Sequence, residues 1–202
     1  MEHSPPRVDV RLQATAISCN LLGIIPARHR LLAQGFPVVL LVLPSLAMNK
    51  VLIESIKASD GRYLSDIELR PFAQFVASYE TRFTTYALLK EKSETLVLNS
   101  LRRLMQTPHR TMITEQGSKC QRDMIYTLQC VAQAILLDDT QGFIETYVLW
   151  MQNITRALHK ESSAIDAYRA LQQEVSTTFS PEGALLINQP IDQLIQAFSE
   201  GL

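Results

Sequence analysis

Glycine is scarce in this chain, with seven among 202 residues. It contains neither a phosphate-cradling glycine loop nor the strand–turn–helix elbow that presents a nucleophilic serine. The cysteines are Cys19, Cys120 and Cys130. Their odd number and lack of a framework spacing argue against a disulfide scaffold, and a reducing compartment is the simplest reading. His3, His29, His109 and His159 are scattered, with no pair at i, i+4, so there is no zinc spacing. Neither sign of charge prevails: 19 Lys and Arg stand against 20 Asp and Glu, a formal net charge of −1. A nucleic-acid binder would carry a basic excess. Alternation at period two, the mark of a half-buried strand, is also missing.

The residues present fit an ordinary globular domain, 47% hydrophobic and 19% charged. Leu, Ala, Gln, Glu and Ile are abundant, which favours helices. The length suits one domain with a real core. We therefore expect an all-α fold, with helices too numerous and unequal for a simple four-helix bundle and a globin-like packing as the natural alternative.

Residues 1–47 differ from the rest. Ser4-Pro5-Pro6 reads as a disordered start. A basic flank, Ala27-Arg28-His29-Arg30, precedes an apolar run from Leu31 to Ala47 that imitates a secretory signal. Three readings compete. A signal peptide would begin its apolar core unusually far from Met1. A membrane anchor would be interrupted by Gln34, Gly35, Pro37 and Pro44 and would be marginal in length. The third reading, which we favour, is upstream sequence joined by a wrong start, with Met48 the true beginning.

From Met48 the pattern is regular. Val51 to Ile56 reads as a short amphipathic helix, and Ser59-Asp60-Gly61 as a turn. Ser65-Asp66-Ile67-Glu68 is a capping box. The helix after it should carry Phe72, Phe75, Val76, Tyr79 and Phe83 on one face, kinked at Pro71. A second long helix is expected from about Thr84 to Met105, with Leu88, Leu89, Leu96, Leu101 and Leu104 inward. A polar loop over 106–118 comes next. A helix opening near Lys119 should run to Leu137 and stop at Asp138-Asp139-Thr140. Further helices are expected through Phe143–Leu158, after an N-cap at Ser163, and from Ser180-Pro181-Glu182. Asn153-Ile154-Thr155 matches a glycosylation acceptor but lies inside a helical pattern and reads as chance.

The chemistry concentrates between Lys119 and Leu128. On a helix Cys120, Asp123, Thr127, Cys130 and Ala134 share one stripe, beside an apolar stripe of Met124, Leu128, Val131, Ala132 and Ile135. A thiol and a carboxylate thus sit one turn apart at the rim of a core-packed helix, with Lys119 and Arg122 close by. Taken alone, this stretch is more simply a packing cysteine beside a solvated Arg–Asp pair. Cys120 as a catalytic nucleophile would need a base, and His109 is the only histidine near it in sequence. Without paired carboxylates or a His-centred arrangement, we do not expect an enzyme.

Order and spacing over residues 48–202 change that weighting, because the segment resembles the phycobiliproteins, the bilin-bearing subunits of phycobilisomes. Gly61-Arg62-Tyr63-Leu64-Ser65 with Glu68 is similar to the family's turn into its first globin helix. Lys119-Cys120-x-Arg122-Asp123, with Tyr126 and Leu128, is similar to its chromophore helix. Asp138-Asp139-Thr140, Ile144 and Glu145 fall at its next turn and helix, and Ala164-Ile165-Asp166-Ala167 resembles allophycocyanin-type subunits. The resemblance implies a globin-like fold with an N-terminal helical extension and one covalent bilin, a phycocyanobilin-like linear tetrapyrrole. Cys120 would hold it through a thioether. Asp123 would accept from the pyrrole N–H groups, Arg122 and Lys119 would meet the propionates, and Tyr126 and Tyr147 would line the pocket. It also implies light harvesting in a cytoplasmic assembly peripheral to the thylakoid. The partners would be other phycobiliprotein subunits, linker proteins and a bilin lyase, in a homo- or hetero-oligomer.

The chain departs from the family pattern in places. Gln129 stands where an intersubunit Arg is usual, and Ala58 and Ser59 where its Asp partner is usual. Thr127 replaces an aromatic, Thr146 stands for a pocket tyrosine that the adjacent Tyr147 could supply after a small shift, and the loop before Cys120 is shorter. These departures keep open a non-harvesting bilin-binding regulator or photosensor, or a pigment-free assembly factor, on the same fold.

Overall fold

The computed structural model describes residues 50–59 and 61–200, with side chains from residue 53 onward. Compactness divides the chain into Met1–Ala47 and Met48–Leu202. The expectations for 1–47 and for Asp60 lie outside the described residues, all of which belong to the second unit.

The described residues form helices and turns, without strands. In chain order they are α1 (Lys50–Ala58), α2 (Asp66–Ala77), α3 (Tyr79–Leu104), α4 (Arg110–Leu137) and α5 (Thr140–Phe143). A π-helical turn (Ile144–Val148) joins α5 to α6 (Leu149–Ala157), and α7 (Glu161–Thr178) and α8 (Pro181–Ser199) complete the series. The all-α, globin-like expectation is met. The most extensive pairing is α3 on α4, then α7 on α8, and α3 also lies along α7. Leu89 and Val97 of α3, Val131 of α4, Leu171 of α7 and Ile187 and Ile191 of α8 meet in the centre, each fully buried. Each such side chain contributes about 1.5–3 kcal/mol of transfer free energy.

Local chemistry sets several boundaries as the sequence predicts. Arg62 N donates to Ser59 O (3.0 Å), and Gly61 has φ +79°, a conformation that strains any side-chain-bearing residue. The capping box forms: Ser65 N donates to Glu68 Oε2 (2.8 Å) and Glu68 N to Ser65 Oγ (3.5 Å). Arg62 grips the same carboxylate with both terminal nitrogens, at 2.9 and 2.6 Å. Asp138, with φ 53°, closes α4 in the left-handed region. Asp139 caps α5 by accepting from Gly142 N (2.9 Å), and a Cβ at Gly142 would lie only 2.2 Å from that carboxylate. Ser180 accepts from Gly183 N (3.2 Å), with Pro181 in the first turn of α8.

Other expectations are corrected. Of the stretch 106–118 only 106–109 is a turn: α4 begins at Arg110, and Ile113 is buried. Its polar residues are one face of a helix, and Gly117 is tolerated within it at about 1 kcal/mol relative to Ala. Cys120 therefore sits mid-helix rather than near an N-terminus. Helix α7 starts at Glu161, so Ser163 is inside it, its hydroxyl donating to Lys160 O (3.0 Å). The Phe72–Phe83 face is split at Ser78 between α2 and α3 and points outward: Phe72, Val76, Tyr79 and Phe83 are each about half exposed.

Candidate functional site

Helix α4 positions most of the predicted site. Met124, Leu128, Val131, Ala132 and Ile135 are all buried, as the apolar stripe requires. The adjoining stripe consequently lies at the rim of the core. Cys120 is partly buried against the core, while Asp123 and Arg122 are more than half exposed. Arg122 Nε lies 3.6 Å from Asp123 Oδ1. Lys119 is exposed on the same turn.

Burial, and then the negative charge of Asp123, raise the Cys120 thiol above its ordinary value, and the ammonium of Lys160 opposes them. Burial likewise raises the Asp123 carboxyl, against the pull of Arg122 and Lys119. The side chain is about half exposed, so this desolvation is partial, and the carboxylate stays open to N–H donors.

Tyr126 is exposed at 45% and stands one turn beyond Asp123. Its ring meets Tyr147 edge-on at 5.8 Å between centroids. Tyr147 is buried, stacked on Phe143 (5.4 Å) and tilted against Trp150 (5.9 Å). It comes from the π-helical turn, in which Leu149 N donates to Ile144 O. Such a turn accommodates one extra residue in an α-helix. Tyr147, next to Thr146, meets Tyr126 from this turn.

Sequence reasoning missed two contributors. Lys160 arrives from the turn between α6 and α7. There Lys160 N donates to Thr155 O (3.0 Å) and His159 N to Arg156 O (3.1 Å), with His159 at φ 52°. This is a Schellman closure made by a non-glycine residue, so no glycine advertised it. Tyr168, from α7, is fully enclosed, and its hydroxyl lies 2.6 Å from Thr127 Oγ1. The tyrosine belongs to a helix far along the chain, and no periodicity within α4 points to it.

His109 is not brought to Cys120. It precedes α4, and its Nε2 lies 2.8 Å from Asp166 Oδ2. Between Arg110 and Cys120 the helix advances about 15 Å. Cys130 is partly buried, and burial pushes its thiol up to about 11 against a hydrogen bond with Tyr126.

A helix rim thus presents a thiol, a half-exposed carboxylate one turn on, cations nearby and the Tyr126–Tyr147 pair. The phycobilisome protein family model matches residues 53–198. The chain belongs to the phycobilisome protein family. Among curated proteins none matches it. Membership points to the light-harvesting, bilin-binding class, and this member offers groups that fit a linear tetrapyrrole. Its sulfur suits covalent attachment, its carboxylate several pyrrole N–H donors, and Arg122, Lys119 and Lys160 two propionates. Among the described residues no helix is long and apolar enough to cross a membrane.

Proposed function

We propose that this family member holds one bilin, of the phycocyanobilin type, through the sulfur of Cys120 and serves excitation transfer in a phycobilisome-type assembly peripheral to the thylakoid. The supporting observation is the pairing on α4 of a thiol partly buried against the core with a carboxylate one turn on at the rim. A bound bilin supplies the visible absorption and emission. The chain supplies orientation. Asp123 would accept from the pyrrole nitrogens. Arg122 would leave Asp123 for a propionate, with Lys119 and Lys160 beside it. Tyr126, supported from below by Tyr147, would limit movement at the face of the pigment. The protonated thiol makes unaided attachment slow, which favours a lyase partner.

Production together with a bilin-synthesis pathway tests this. The denatured band should show zinc-enhanced fluorescence, and Cys120→Ala should abolish it. A wild-type chain that stays colourless contradicts the proposal.

The outward aromatic face of α2 and α3 supports assembly with other phycobiliprotein subunits, directly or through linker proteins. Gln129 in place of the usual intersubunit Arg favours a second reading, a bilin-binding regulator outside the antenna. Mixing with standard α and β subunits separates the two readings. Incorporation into rings supports the antenna, and a persistent monomer or homodimer supports the regulator.

A further inference from the structure

We propose that Thr127, Tyr147 and Tyr168 form a positioning node beneath Asp123, and that the emission yield of a pigment held by Cys120 depends on their hydroxyls. The node's role rests on Cys120 carrying a pigment, as proposed for the function. Thr127 lies one turn beyond Asp123 and is fully buried. Its Oγ1 is 3.0 Å from the Asp123 carbonyl oxygen, 2.6 Å from Tyr147 Oη and 2.6 Å from Tyr168 Oη.

Counting protons settles the direction of each bond. A carbonyl oxygen only accepts, so the single hydroxyl proton of Thr127 goes to Asp123. Both phenols must then donate to Thr127 and fill its two acceptor positions. The donors all point one way, toward the backbone of the residue whose carboxylate faces the pigment. Hydrogen bonds chained in this sense polarise and strengthen one another. Both phenols are held far from ionisation, chiefly by burial, so their protons stay available to Thr127.

One oxygen thereby joins α4, the π-helical turn and α7. Tyr147 reaches it from the π-helical turn and Tyr168 from α7. Fold stability alone does not require hydroxyls here. Apolar groups of the same shape in place of all the partners would be nearly neutral. What the hydroxyls add is a single geometry for the backbone of Asp123. An open-chain pigment loses excitation by twisting, so movement of its anchor lowers emission.

The test uses the full chain as wild type, Thr127→Val, Thr127→Ser and Tyr168→Phe, each produced with bilin synthesis and also without pigment. Thr127→Val and Tyr168→Phe should carry pigment on Cys120 but emit several-fold less per pigment, while Thr127→Ser keeps the wild-type yield. Without pigment, the amides around Asp123 should exchange about tenfold faster in Thr127→Val, as expected where a local opening is eased. If Thr127→Val does not accumulate, Tyr168→Phe decides, because phenylalanine fills the same volume. Pigmented variants with wild-type emission and exchange overturn the node and leave the pigment reading intact. A wild-type chain without pigment overturns that reading itself.

Discussion

At the scale of single residues, the site is governed by proton affinity. Thiolate is the reactive form of cysteine, and burial and Asp123 keep Cys120 protonated at neutral pH. Alkylation of Cys120 should therefore accelerate with pH into the alkaline range, while Cys130, held at about 11, lags behind it. At a fixed pH, Asp123→Asn should speed the reaction and Lys160→Ala should slow it; peptide mapping after timed quenching measures both. The raised Asp123 carboxyl also bears on stability. Burial makes ionisation harder in the folded chain than in the unfolded one, so above the folded value the carboxylate costs folding free energy. That cost fades as pH falls through the folded value toward the unfolded one. In the pigment-free chain, Asp123→Asn should raise the melting temperature at neutral pH and leave it unchanged in acid. Cys120 and Asp123 were legible because helical spacing fixes their relation. Lys160 and Tyr168 were not, since their approach depends on how α7 packs.

Among the elements, α4 shows what a pattern conveys and what it leaves out. Its apolar stripe identified the buried face, but the polar residues over 110–118 read as a loop because an exposed helical face and a loop have similar compositions. The π-helical turn was equally hidden, since insertion of one residue leaves no mark in a single sequence beyond a tyrosine standing one place late. Arg82 was overlooked altogether. It is 2% exposed, yet its guanidinium donates to Phe75 O (2.6 Å), to Leu136 O and to Ile135 O (3.4 Å), while Nε donates to Ser78 Oγ (3.2 Å). It lies over the Phe75 ring at 4.1 Å. One side chain thus ties the end of α2 to the carbonyl end of α4, where a cation also meets the helix dipole favourably. No residue of α2 is buried, so this clasp adds an attachment that side-chain burial does not supply. Arg82→Met should destabilise the chain by about 2–3 kcal/mol, the scale of a charged hydrogen-bond set. Urea unfolding measures the loss, and proteolysis should then cut first near Ser78.

At the scale of the molecule, the described residues form a buried core and an exposed aromatic face. The sequence put the rings from Phe72 to Phe83 on one face of a single helix, whereas the fold divides them at Ser78 between α2 and α3 and leaves most of them exposed. In the fold Tyr79 stacks with Phe83 (5.9 Å) on the outside, and Phe83 leans on Tyr86. Amphipathic spacing requires that a face be covered without naming what covers it. If subunits assemble through this face, Phe83→Glu should lower the mass of the assembly in sedimentation while pigment attachment at Cys120 continues. The two properties separate because the aromatic face belongs to α2 and α3 and the thiol to the rim of α4. The most direct measurement is the intact mass of the chain purified from cells that make bilins, with the modified peptide mapped. The expected result is one added tetrapyrrole, located on Cys120. An unmodified Cys120 despite an abundant bilin supply would contradict it.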